Sequence, residues 1–226
     1  MCLPTPLPLE LDLPAGRRRT RRGEELRLKI IAQATGLFLE RGYEGVSLAD
    51  ILKQVGGSKT NFYTFFGNKD GLFLESMNAL IDALLIPLKR TAVMGTSLRS
   101  ALSRLGRTLL NILLTPRHIA YQRLVISVSA HHPSVGGDWF RHGPAMTHGL
   151  IERVIRRFQR EGTVRPEVDP HLAAVLFHDM ITFDLLLRTL LSVGEPPSAA
   201  DIEARVDQAV QFFLAAMGAT PGGGKS

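Results

Sequence analysis

From Gly56 to Gly71 the chain reads GGSKTNFYTFFGNKDG. Lys59, Thr60, Asn61, Tyr63 and Thr64 supply a cation, two hydroxyls, an amide and a phenol in close succession. These are the side-chain types that hydrogen-bond phosphate oxygens and base edges. Phe62, Phe65 and Phe66 are interleaved with them, in a chain that is only 7% aromatic. On a helix Phe62 and Phe66 stand at i,i+4 and Phe65 at i+3 from Phe62, so these rings share a face. The polar residues are left for the opposite face. The segment reads as a short helix capped by Ser58, with an anchor on one side and a probe on the other. Lys69 opens the next helix, where its charge adds to free backbone N–H groups as an anion site.

Other chemistry finds little support. The chain has no Gly-rich phosphate loop, no Ser/His/Asp motif and no His/Cys metal spacing. His131 and His132 are adjacent and would point apart on a helix, and His142 and His148 are poorly spaced for one face. His171 and His178 share a face but lie two turns apart, long for one metal. Neither a catalytic residue, a metal site nor a cofactor is expected. The single cysteine, Cys2, excludes an intrachain disulfide framework and suits a reducing cytoplasm. The apolar N-terminus is broken by prolines and its charges follow rather than precede it, so it is not a secretory signal. Residues 171–191 form the most apolar stretch but carry His178, Asp179, Asp184 and Arg188. Burial between helices explains that stretch better than a membrane span, and no membrane partner is expected.

Charge points the same way as the probe helix. The formal net charge is +6 and the sequence pI about 9.9, which favours polyanionic partners. Much of the excess sits in residues 17–29, where Arg17, Arg18, Arg19, Arg21, Arg22, Arg27 and Lys29 face only Glu24 and Glu25. Residues 1–22 are expected to be a disordered arm. Its arginines, Arg17 to Arg22, would either enter a minor groove or serve only as a solubilising tail.

The elements that position the probe can be read from spacing. Leu26, Ile30, Ile31, Ala34, Leu37 and Phe38 recur at threes and fours and mark one helix face up to Gly42. Ser47 caps a second helix whose Leu48, Ile51, Leu52 and Val55 form one stripe, with Gly56 as its stop. The third helix reaches to about Phe66, and a fourth runs from Lys69 to near Pro87. Further helices are expected at about 97–114, 117–130, 138–161, 170–192 and 199–217. The fold class is therefore all-α. A helix of about eight residues spans only about 12 Å and is unstable alone, so the third must be held by its neighbours. A polar outer face would by itself be an ordinary solvated surface. Its place after a short helix, a Gly-Gly turn and a basic flank fits instead the helix-turn-helix plan, whose second helix enters the major groove.

Residues 28–77, LKIIAQATGLFLERGYEGVSLADILKQVGGSKTNFYTFFGNKDGLFLESM, resemble the DNA-binding domain of TetR-family transcriptional regulators. The resemblance rests on the A..LF.E.GY...S..DI stretch, the turn, and the SK, FY..F, NK and L positions after it. It implies a homodimer that sets two recognition helices into a palindromic double-stranded DNA operator. It further implies a larger helical domain that binds a small-molecule effector and pairs through its last two long helices. DNA contacts would come from Ser47, Ser58, Lys59, Thr60, Asn61, Tyr63, Thr64 and Lys69. Phe65 stands where the family usually has histidine, which would remove a phosphate contact, and Gly57 replaces a small apolar residue in the turn. Asn61 would either read adenine or bind phosphate.

The implied organisation is an arm at 1–22, a helix-turn-helix domain at 23–69, an effector and dimerisation domain at 70–218, and a flexible tail at 219–226. Met77, Trp139, Phe140, Met146, Phe177 and Phe183 are candidate effector-pocket residues. The expected function is a cytoplasmic regulator, a repressor released from its operator by the effector. The alternatives are an architectural DNA binder without effector control, an activator on the same fold, and an enzyme or carrier whose basic helices are incidental.

Overall fold

Glycine and proline punctuate this chain, and the computed structural model shows what each interruption does. It describes residues 21–56, 58–91 and 95–218. Cys2, Gly57, Arg17 to Arg19 and the expected tail lie outside these. Among the described residues every regular element is a helix.

The first helix, α1 (Arg21–Arg41), buries Ile30, Ile31, Ala34, Leu37 and Phe38, the stripe expected from their spacing. It begins at Arg21 and so includes Arg21 and Arg22, which the sequence placed in the arm. Gly42 ends it at φ 73°, a conformation that glycine adopts freely. Helix α2 (Leu48–Val55) starts from a complete capping box in which Ser47 and Asp50 satisfy each other's backbone N–H. Helix α3 (Lys59–Phe66) is capped by Ser58, and α4 (Lys69–Leu84) by Asn68. Helix α2 packs on α1, and α3 on α4. The joint between α3 and α4 is tight: a Cβ on Gly71 would lie 2.0 Å from the Phe66 carbonyl oxygen.

Helix α4 stops at Leu84, close to its expected end near Pro87, and a short helix that was not expected, α5 (Ile86–Thr91), follows, with Pro87 in its first turn where the missing N–H costs nothing. Then come α6 (Leu98–Leu113) and α7 (Pro116–Ser129), the latter with proline in its first turn after the Thr115 cap. One helix expected at 138–161 is instead two. Helix α8 (Pro133–Phe140) starts earlier than expected, with Pro133 as its first residue. A π turn over Arg141–Ala145 comes next, and α9 (Met146–Arg160) completes the run. Pro144 sits within that turn, where it cannot donate the α-helical bond.

Helices α10 (Pro170–Leu190) and α11 (Ala199–Ala216) end the fold. Helix α10 packs on α9, α6, α7 and α11, and α11 packs on α6. Gly106 makes the second contact close, since a Cβ there would stand 3.1 Å from Val206 Cγ1. Among the described residues α10 is the one helix long and apolar enough to cross a bilayer by length and composition. Its buried residues Ala173, Ala174, Phe177 and Ile181 serve the bundle core. The result is an N-terminal helix-turn-helix domain followed by a C-terminal helical domain, joined through α4.

Candidate nucleic-acid interface and interior cavity

Helix α3 divides as its spacing requires. Phe62 and Phe66 are buried with their rings 5.5 Å apart. Phe65 is half-buried, its ring 5.9 Å from that of Phe66. Lys59, Thr60, Asn61 and Thr64 are exposed, and Tyr63 is 54% exposed although it is aromatic. The exposed phenol costs apolar surface that simple burial would have recovered.

Several expected contact groups already have local work. Ser58 Oγ accepts from Asn61 N at 3.1 Å, and Thr64 Oγ1 donates to the Thr60 carbonyl at 2.8 Å. Ser47 Oγ donates to Asp50 Oδ2 at 2.5 Å while accepting from Asp50 N. The Ser47 hydroxyl and backbone N–H, both donating to Asp50 Oδ2, hold that carboxyl below its usual range. Lys69 does not stand free at the start of α4. Its Nζ lies 4.2 Å above the Tyr43 ring and 4.0 Å from Glu44 Oε2. The first turn of α4 is served instead by Asn68, whose Oδ1 accepts from Gly71 N at 2.8 Å, and it carries Asp70. Lys69, expected in an anion site, thus makes a cation–π and a carboxylate contact and remains partly exposed. Arg27, counted in the basic flank, is also turned inward, pairing with Glu75 of α4 and lying 5.8 Å from the Phe66 ring centroid. The flank keeps Arg21, Arg22 and Lys29 exposed.

The joint between the two domains is aromatic and hydrogen-bonded. Tyr43 packs edge-on against Phe73 at 5.0 Å and donates to Asp70. Burial and that carboxylate push its phenol pKa upward. The His132 ring, at the start of α8, lies 5.2 Å from Tyr43, and a cleft of about 290 Å³ opens beside them between the α1–α2 loop and the end of α7.

Farther along α4 lies a small interior cavity of about 80 Å³. Ile81 and Leu85 line it from the α4 side, Leu109 and Leu113 from α6, and His118 and Gln122 from α7. Trp139, Gly143, Pro144, Thr147, His178 and Leu186 close the remainder. No Lys, Arg, Asp or Glu is among these residues. His118 is buried, its Nε2 3.1 Å from Gln122 Nε2 and its Nδ1 without a protein partner. Desolvation lowers its pKa to about 4, so the ring is neutral at pH 7.

Of the candidate pocket residues, Trp139 alone lines this cavity. Met77 is core, and Phe177 is buried with its ring 5.1 Å from that of Phe213. Met146 is half-buried against the core. Phe140 and Phe183 are on the surface, 51% and 68% exposed. Helical spacing identified apolar residues but not which side of each helix meets empty space. His118, Gln122 and Thr147 were missed because small or polar liners interrupt an apolar stripe rather than extend it.

Leu172, Leu176, Phe183 and Leu187 are exposed at i, i+4, i+11 and i+15 along α10, an apolar stripe interrupted at i+7 by exposed Asp179. Helix α11 adds exposed Phe212.

Known proteins share this arrangement. Residues 30–76 match the bacterial regulatory proteins of the tetR family, and residues 100–219 match the C-terminal domain of AefR-like transcriptional repressors. The chain is 27% identical over 142 residues to the HTH-type transcriptional repressor ComR of Escherichia coli (strain K12), covering 62% of this chain and 66% of that protein. It is 39% identical over 56 residues to IcaR of Staphylococcus aureus, a negative transcriptional regulator of the biofilm operon icaADBC, covering 25% of this chain and 30% of that one. The chain thus spans less than two thirds of each of these relatives. A TetR-family regulator from Mesorhizobium loti MAFF303099 has the same fold, with a TM-score of 0.79 and 24% identity over 87% of this chain and 98% of that one. The flavonoid-responsive regulator FrrA matches with a TM-score of 0.72 and 24% identity, over 85% and 97%. With both of its domains matched, this chain belongs to the TetR family of transcriptional regulators.

Proposed function

We propose that the protein is a cytoplasmic, homodimeric repressor that binds a palindromic operator and leaves it when a small molecule enters the interior cavity. The observation that carries this reading is α3, where buried Phe62 and Phe66 hold a helix whose outward residues are Lys59, Thr60, Asn61, Tyr63 and Thr64. Those groups match the phosphate and base-edge chemistry of a major groove. Lys59, Thr60, Asn61 and Tyr63 make the direct contacts, while Ser47, Ser58 and Lys69 hold the elements that carry them.

The effector is neutral and largely apolar, with an aromatic surface and one or two hydrogen-bonding groups. A cavity without a charged lining residue offers no partner to a buried charge, whose desolvation would go uncompensated. Gln122 and the neutral His118 supply the polar contacts. Signal transfer runs along α4: Ile81 and Leu85 touch the cavity, and Gly71 packs under the end of α3. An effector that favours a shifted α4 selects dimers whose recognition helices no longer match successive major grooves.

The test is fluorescence anisotropy with duplexes from upstream of the protein's own coding region. Lys59→Ala with Tyr63→Phe should weaken binding by roughly 10- to 100-fold, the loss of charge-assisted hydrogen bonds. Equal affinity of the unaltered protein for a palindromic site and for random duplex would instead support the architectural alternative. Trp139 is the only tryptophan and borders the cavity. Its emission should change as effector binds, in step with loss of the operator complex.

A further inference from the structure

His148 on α9 meets His178 and Asp179 on α10 where the two helices pack. Neither the outward face of α3 nor the exposed apolar residues of α10 use the two histidines. The rings stand edge to face with centroids 4.7 Å apart, and His178 Nδ1 is 3.0 Å from Asp179 Oδ1. One donor atom from each residue lies within 4.8 Å of the other two. His148 is 7% exposed and its Nε2 has no protein hydrogen-bond partner. A buried nitrogen in that condition is uncommon and points to a partner from outside the chain.

The same helix pair supplies its own contrast a turn or two away. There Glu152 on α9 faces His171 on α10, with His171 Nδ1 3.0 Å from Glu152 Oε2. Glu152 also accepts from Arg156 at 2.7 Å. That pair is closed by its own charges. Among the described residues no lysine or arginine closes the set at His148 and His178.

We propose that His148, His178 and Asp179 bind a divalent first-row transition ion of the zinc class, tying α9 to α10. Two imidazoles and a carboxylate suit such an ion and leave a position for water or another ligand. Tetrahedral zinc with bonds of about 2.0–2.1 Å separates its ligands by about 3.3–3.4 Å, so side-chain rotations of about 1 Å complete the set. The site joins two functional surfaces. His178 also lines the cavity, and Asp179 lies on the exposed face between Leu176 and Phe183. The donor set belongs to the C-terminal domain alone, so its test is independent of operator binding.

The experiment uses the full chain, untagged and stripped with chelator, titrated with Zn(II) by calorimetry and with Co(II) by visible absorption. One ion per chain is expected, with the intense d–d bands of low-symmetry Co(II). His148→Ala and His178→Ala should each weaken binding by about a hundredfold or more, since even outer-shell changes cost about 10- to 100-fold. Asp179→Asn, at an exposed position, tests the site without disturbing the core and should weaken binding about tenfold or more. Glu152→Gln with His171→Ala should leave binding unchanged, and circular dichroism identifies the variants that remain folded. Absence of stoichiometric binding to the folded, unaltered chain overturns the proposal. So does binding undiminished in folded Asp179→Asn and His178→Ala chains, or binding lost in the Glu152→Gln, His171→Ala chain.

Discussion

Helices α3 and α10 both hold large aromatic side chains out to solvent, Tyr63 in one and Phe183 in the other. Their neighbours differ in kind. Tyr63 stands among Lys59, Thr60, Asn61 and Thr64, whereas Phe183 continues a line of exposed leucines. An exposed ring beside hydroxyls and a cation can present its O–H to a phosphate and lose little in water. An exposed ring within an apolar stripe stays costly until another apolar surface covers it. Exposure alone therefore assigns no role; the composition of the surrounding face does. The two helices also differ in what supports them. Helix α3 has eight residues and depends on the anchor of Phe62 and Phe66, whereas α10 has 21 and is embedded against four other helices.

The sharpest way to break this contrast is to exchange the chemistry of the two faces. Phe183→Lys with Leu176→Lys should convert the proposed dimer to monomer, raising the dissociation constant more than about a hundredfold, because burying a charge without a partner costs several kcal/mol. Sedimentation would show it, and operator affinity should fall with it. If the chain stays dimeric, the stripe on α10 is not the pairing face. The Lys59 and Tyr63 substitutions should do the opposite, lowering operator affinity while leaving the dimer intact.

A pH series separates the buried interior from both faces. The His118 pKa of about 4 lies below the ordinary histidine value of 6.5, so the unfolded chain takes up a proton that the folded chain refuses. Stability should be full above about pH 6.5, fall as pH drops through that value, and level off below about 4. Between pH 7 and pH 5 the loss from this residue is about 2 kcal/mol. Burial lowers His148 and His178 as well, in the same direction. Urea unfolding at the two pH values measures the total, and His118→Phe should reduce the difference. An unchanged pH slope in that variant would place the effect elsewhere.

The smallest expected effect concerns the support of α3. Ser58→Ala removes the cap on Asn61 N and should cost about 1 kcal/mol of stability. Operator affinity should drop modestly because the probe helix frays at the end that carries Lys59 and Thr60. A loss as large as that of the Lys59 variant would mean that Ser58 itself touches DNA.

The helices from α1 to α4 were legible because their signals are local. Leu26 through Phe38 repeat with helical period, Ser47 and Ser58 cap the two short helices, and glycines at 42, 56 and 67 take positive φ where the helices stop or turn. Side-chain assignments within that domain were less secure. Lys69 and Arg27 look like free cations in one dimension. In three they are held by Tyr43 and Glu44, and by Glu75 and Phe66, because α1 and α4 bring distant residues together. The C-terminal domain loses more in translation. Pro144 marks an interruption, yet a break, a kink and a π turn share that signal, and only the packing of α8 and α9 distinguishes them. His148 and His178 are thirty residues apart in the chain, so no spacing rule along one helix could pair them.

By itself the sequence determined the all-helical class, the order of the short and long helices, and the amphipathic division of α3. Each rests on periodicity, capping and backbone chemistry that act within a few residues. The tertiary structure decided which polar groups remain available, where the interior cavity opens, and which apolar residues are left uncovered. Those depend on helices meeting across long stretches of chain, where a side chain's role is set by what lies opposite it.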